Sequence, residues 1–132
     1  MRMTADTNVL VRGAVLDDPH QVQLAAKALR EADVVAVPIS ALCEFVWVLR
    51  KGYKRPNADI AQSIRSLISS TNVVTDRAAV EAGLEVLEAG GDFGDGVIAH
   101  EGARLGADDF VSFDKEAVTL LQSLGTRARL LS

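Results

Sequence analysis

The chain has 132 residues, about the length of a single domain and enough to bury a sizeable core. A net charge of −4 argues against a protein that coats nucleic acid non-specifically, because such binding rests on neutralising phosphates. It leaves room for a basic rim beside an acidic centre. No apolar run approaches the roughly 20 residues that span a bilayer. The opening MRMTAD carries no apolar signal region, and the lone Cys43 cannot form an internal disulfide. These features predict a cytoplasmic protein with no membrane segment and a buried, reduced thiol.

Five short strand-like runs are predicted, at 3–5, 34–37, 73–75, 110–113 and 128–131. In TADTNVLVR, Asp6 stands where the first strand should end, ahead of an apolar segment from Val9 to Val11. A turn is the plainest account of that junction. In DDPHQVQLAAKALR, Asp18 is the expected N-cap and Pro19 the first helical residue, with Val22, Ala25, Ala26 and Leu29 on one face. Ser40 is expected to cap a helix running through Leu49. Ile60, Ile64, Leu67 and Ile68 recur at helical spacing in the next. Asp76 is placed to cap a helix carrying Val80, Leu84 and Leu87. Asp92 is placed to cap one through Leu105 that Gly106 ends. A last helix covers Lys115 to Leu124.

No repeat or linker interrupts the chain, so residues 1–132 are predicted to form one domain. Strands alternating with helices imply a mostly parallel sheet covered on both faces. In such sheets, ligands bind beyond the carboxyl ends of the strands. Acids gather at the corresponding positions of the sequence. Asp6 closes the first strand. Glu44 is the only charged residue between Val34 and Leu49. Asp92 and Asp95 stand at the cap and first turn of one helix, and Asp114 follows a strand as Asp6 does, with Ser112 before it.

Each acid alone has a plain account as a turn, a helix cap or a solvated side chain. Together they carry an electrostatic cost. Two carboxylates ~4 Å apart repel by about 1 kcal/mol in water and ~4 kcal/mol at an effective dielectric of 20. Four at one end of a sheet need a counter-charge, and oxygen-only ligands suit Mg²⁺ or Mn²⁺. No Cys/His cluster exists for zinc, and His20 and His100 are expected at the surface.

ADTNVLVR, the Glu within SALCEFVWVL, DFGDGVIA with LGADD, and VSFD run in order along nearly the whole chain. They resemble the PIN-domain nucleases, most closely the VapC-like toxin ribonucleases of bacterial toxin–antitoxin pairs. The resemblance implies a three-layer α/β/α fold around a central parallel sheet of about five strands. It also implies a magnesium-dependent endoribonuclease acting on RNA, with Mn²⁺ as a substitute, and a cognate antitoxin as partner. Carried over by position, Asp6, Glu44, Asp95 and Asp114 match the family's acidic quartet, and Asp6 and Asp95 match its usual metal ligands. Asn8 and Ser112 fall at polar positions that support those acids, and Asp92 matches an acid found in many members but not all. Whether one ion or two is held stays open.

Two places, three residues in all, depart from the pattern. Thr4 and Ala5 stand where relatives carry larger aliphatics, and Gly96 stands where Ala is more usual. For substrate contact, RKGYKRPN joins basic residues to one Tyr, which suits phosphate contact with a base stacked on the ring; a solvated loop is the plain alternative. Lys51, Lys54 and Arg55 are the RNA-binding candidates there, with Arg12 a further one. Val46, Trp47 and Leu49 are candidates to face the antitoxin or the second subunit of a homodimer.

Three other readings compete. A phosphatase of the haloacid dehalogenase type needs a second Asp two residues after the first, and Asn8 stands there. A non-catalytic PIN-fold module that binds RNA or protein would be marked by loss of an acid, yet all four are present. A free-standing PIN-domain ribonuclease without an antitoxin is the third.

Overall fold

In the computed structural model, which describes residues 1–132, all five strands are present and every pairing is parallel. They are hydrogen-bonded as three and two, in two units, Met1–Asp76 and Arg77–Ser132.

The N-terminal unit holds β1 (Arg2–Thr4), β2 (Val34–Ala36) and β3 (Val73–Val74), in that order across the sheet. Met3 pairs with Val35, and Val35 with Val73. Parallel neighbours need long crossovers. Here α1 (Thr7–Ala14) and α2 (Pro19–Glu31) make the first, and α3 (Ile39–Trp47) and α4 (Asn57–Ile68) the second. Asp18 caps α2 by accepting from the Gln21 amide, with Pro19 at the first position as expected. At the other end of α2, Asn72 donates to the carbonyls of Leu29 and Ala32 at 2.8 and 3.0 Å. That satisfies acceptors a helix terminus leaves orphaned, and ties α2 to the start of β3.

Several sequence expectations change here. The segment after Asp6 is a helix, α1, and not a turn. Thr, Asn and two Val give it weak intrinsic propensity. The Asp6 cap and the burial of Leu10 and Val11 outweigh that. Pro38, not Ser40, occupies the N-cap of α3, because the helix already begins at Ile39. Val46 and Leu49 are 1% and 2% exposed, so they belong to the core and are not free to face a partner, whereas Trp47 is 64% exposed. Cys43 is half-buried where full burial was expected. Beyond Trp47 the chain widens into a π-helical turn, Val48–Gly52, where a loop was expected from Arg50.

The C-terminal unit holds α5 (Arg77–Glu88), α6 (Phe93–Arg104), β4 (Phe110–Ser112), α7 (Lys115–Ser123) and β5 (Ala128–Leu130), with Val111 paired to Arg129. Gly106, at φ +107°, ends α6 as expected. The departure at Gly96 has a packing reason. A Cβ there would lie 2.4 Å from the Ala82 carbonyl oxygen on α5. The closeness of α5 and α6 therefore requires a bare backbone at this position. His100 is half-buried, not on the surface, and its Nε2 is out of water without a hydrogen-bond partner.

Candidate active site

In the N-terminal unit, β1 is followed by buried Ala5, whose amide donates to the Ala36 carbonyl at 2.9 Å, and then by Asp6. Asp6 is extended (φ −72°, ψ 156°) and caps α1, accepting from the Thr7 amide at 2.7 Å. Its carbonyl takes the amides of Val9 and Leu10. The first turn of α1 therefore fixes this carboxylate.

Thr7 is the buried polar side chain of the core, at 8% exposure, and its hydroxyl donates to Glu44 Oε2 at 2.9 Å. A hydroxyl buried there without a partner would cost about 1–3 kcal/mol. Glu44 itself is exposed, on a helix whose neighbouring Leu42, Phe45 and Val46 are buried. One contact thus links the Asp6 helix to Glu44. Thr7 was not singled out from the sequence. The available signal was a hydroxyl between Asp6 and Asn8. Asn8, by contrast, is exposed and lines a groove of about 420 Å³ with Met3, Val9, Leu24 and Ala28, so the polar support for Glu44 comes from Thr7.

In the C-terminal unit three carboxylates stand at two helix starts. Asp92 caps α6 by accepting from the Gly94 amide at 3.2 Å. Asp114 caps α7 by accepting from the Ala117 amide at 3.1 Å, and its own amide donates to the Ser112 hydroxyl at 3.0 Å. Ser112 therefore fixes the backbone that presents Asp114. Asp95 lies half-buried in the first turn of α6. Burial pushes its carboxyl above the usual range, and the charges of Asp92 and Asp114 add to the shift. The favourable end of the helix dipole does not cancel these effects.

Within neither unit are three His, Cys, Asp or Glu side chains gathered tightly enough to hold a metal ion. The donor chemistry nonetheless fits a hard cation. Every acid offers oxygen, and a positive charge at Asp95 would relieve the desolvation and repulsion that disfavour its ionised form.

The basic residues divide. Arg12 is already engaged: its Nε donates to Gln21 Oε1 at 2.7 Å, and Nη1 lies 3.4 Å from the Tyr53 hydroxyl and 3.7 Å from Asp17 Oδ1. Tyr53 in turn donates to Asp17 Oδ2 at 2.6 Å. That hydroxyl, more than Arg12, holds the Asp17 carboxyl below its ordinary value. Arg12 is thus engaged in a protein network, and Tyr53 is anchored by its hydroxyl. Lys51, Lys54 and Arg55 are exposed on the turn after α3. Lys54 takes a left-handed conformation, φ +56°, which costs a residue with a Cβ about 1–2 kcal/mol.

A PIN-domain family model matches residues 3–120, and the chain belongs to that family. Its parallel strands and alternating helices accord with the α/β/α fold of PIN domains, which are generally metal-dependent nucleases. The matched span includes Asp6, Glu44, Asp95 and Asp114. No curated protein is matched by the sequence. No helix is long and apolar enough to cross a membrane.

Proposed function

We propose that this protein is a magnesium-dependent endoribonuclease and the toxin of a toxin–antitoxin pair, working in the cytoplasm, with residues 1–132 acting as one nuclease domain. The observation that carries the nuclease reading is the placement of Asp92 and Asp95 at the start of α6 and of Asp114 at the start of α7, in a chain of the PIN family. Asp6 and Asp95 would hold the ion, with Mn²⁺ as a substitute. When bound, a divalent cation supplies Lewis acidity at a scissile phosphate and favours ionisation of water near neutral pH. Glu44, held by Thr7, and Asp114, held by its cap, would hold waters on the ion or a second ion, and one of the two would orient the attacking water. Lys51, Lys54 and Arg55 attract the RNA backbone.

The partner part of the reading rests on the VapC-like motifs and on Trp47, a large indole left exposed beside a buried helix face. Exposed aromatics of this kind anchor protein interfaces. An antitoxin or a second copy of the chain would cover it. A guanidinium from the antitoxin can pair with the acids in place of the cation.

The test is incubation of the purified protein with total RNA, with and without Mg²⁺, followed by mapping of new 5′ ends. Cuts that require Mg²⁺ and vanish in Asp6→Ala are expected. Equal cleavage in excess EDTA, or by the Asp6→Ala protein, would sink the nuclease mechanism. For the toxin role, expression alone should arrest bacterial growth, and Asp6→Ala should be harmless.

A further inference from the structure

The turn after α3 is held by a device that the acid chemistry does not use. From within, the Tyr53 amide donates to the Val48 carbonyl at 3.2 Å and the Arg55 amide to the Leu49 carbonyl at 2.9 Å. From outside, the Tyr53 hydroxyl donates to Asp17 and accepts from Arg12, which is itself steadied by Gln21. The side chains involved come from α1, the α1–α2 loop, α2 and this turn. Their formal charges cancel, because Arg12 and Asp17 pair with each other. What the device presents outward is the exposed trio Lys51, Lys54 and Arg55, with Lys54 held in its left-handed conformation.

We propose that Tyr53 is a positioning residue for RNA: its hydroxyl, locked between Asp17 and Arg12, presets the Lys51–Lys54–Arg55 turn as a row that meets consecutive phosphates. This rests on the RNA-cleaving reading above and adds how that substrate is gripped. A turn whose backbone is already held loses less conformational freedom on binding than a mobile one, and the saving appears as affinity. The row grips phosphates and takes no part in the acid chemistry, so the saving falls on KM more than on kcat.

The experiment is a double-mutant cycle on the full chain, with Mg²⁺ and a labelled single-stranded RNA. Tyr53→Phe removes one oxygen and keeps the ring. It is expected to raise KM by about two- to tenfold, the range for ordering one side chain, with kcat little changed. Replacing Lys51, Lys54 and Arg55 together by Ala should flatten the log–log salt dependence of RNA binding by about 2. In that triple background Tyr53→Phe should have no further effect on KM, because its action passes through the row. Hydrogen exchange gives a readout independent of RNA: the Tyr53 and Arg55 amides should exchange faster in Tyr53→Phe than in wild type. An unchanged KM in Tyr53→Phe, an undiminished KM effect in the triple background, or unaltered exchange at both amides overturns the proposal. If wild type neither binds nor cuts RNA, the functional reading falls and this inference falls with it. If wild type cuts and the cycle is additive, only this inference falls.

Discussion

The two units carry their acids in contrasting ways. In the N-terminal unit, Asp6 and Glu44 each take a hydrogen bond from Thr7, one from its amide and one from its hydroxyl. In the C-terminal unit, Asp92 and Asp114 are also satisfied by caps, but Asp95 is pushed toward its neutral form by burial and by both of those neighbours. A carboxylate with a donor is comfortable without a ligand. One crowded by other carboxylates gains when a cation arrives. The contrast separates acids that the fold would keep for its own stability from one that the fold merely tolerates.

The largest expected effect tests whether both kinds of acid serve the same reaction. Asp6→Ala and Asp95→Asn should each lower RNA cleavage by at least about 100-fold, the scale seen when even an indirect support of a metal ligand is lost. The comparison is made by single-turnover cleavage at saturating Mg²⁺. If Asp95→Asn kept wild-type activity while Asp6→Ala lost it, the crowding of Asp95 would have no part in catalysis. The second effect is on stability with ligand. Mg²⁺ at 100 times its Kd should stabilise the wild type by about 2.7 kcal/mol, and the shift in Tm should largely disappear in Asp95→Asn. A Tm in Asp95→Asn that still rises fully with Mg²⁺ would place the ion elsewhere.

A third, smaller effect probes the N-terminal unit alone. Thr7→Val keeps the shape of the side chain and removes the donor to Glu44. The expected loss is about 0.5–1.5 kcal/mol by denaturant unfolding, since Glu44 is exposed and water can replace the lost partner. The corresponding Ser112→Ala change in the C-terminal unit should cost less, because the Asp114 amide it leaves is exposed. Equal losses in the two variants would show that the hydroxyl under Asp6 is no more structural than the one beside Asp114.

The same contrast explains what could be read from the sequence. The strands and most helices were legible because apolar periodicity and capping residues act locally: Asp18, Asp92 and Asp114 cap where their spacing said they would. Helix α1 was not legible, because its residues are weak helix formers and it takes the Asp6 cap with tertiary burial of Leu10 and Val11 to select the helix. Gly96 read as a loss of helix propensity until the Ala82 carbonyl showed what a methyl would strike. The acids were visible as residue types, but which partner each one takes was not. Thr7 and the Arg12–Asp17–Tyr53 network join positions 36 to 41 residues apart, and no periodicity encodes such a contact.

The smallest effect is the pH dependence of metal-free stability, and its sign follows from the burial of Asp95 and the charges beside it. Because the folded protein raises the Asp95 carboxyl above its ordinary 3.8, the native state binds more protons than the unfolded chain between 3.8 and the raised value. Stability must therefore fall as pH rises through that window, and the full penalty persists above it. Asp17 and Asp33 are shifted the opposite way, by the Tyr53 hydroxyl and by the N-terminal ammonium respectively. Their stabilisation is present above 3.8 and is lost as pH falls through their lowered values, so it occupies a separate window below that of Asp95. Asp95 is only half-buried, which mutes the amplitude through solvent screening. The measurement is the difference in unfolding free energy between wild type and Asp95→Asn in EDTA, followed upward from pH 3.8. Asp95→Asn should gain relative to wild type as pH rises and then level off, and added Mg²⁺ should reverse the ranking. A difference that is flat across this range would mean that neither burial nor the charges of Asp92 and Asp114 press on Asp95, and the contrast between the two units would collapse.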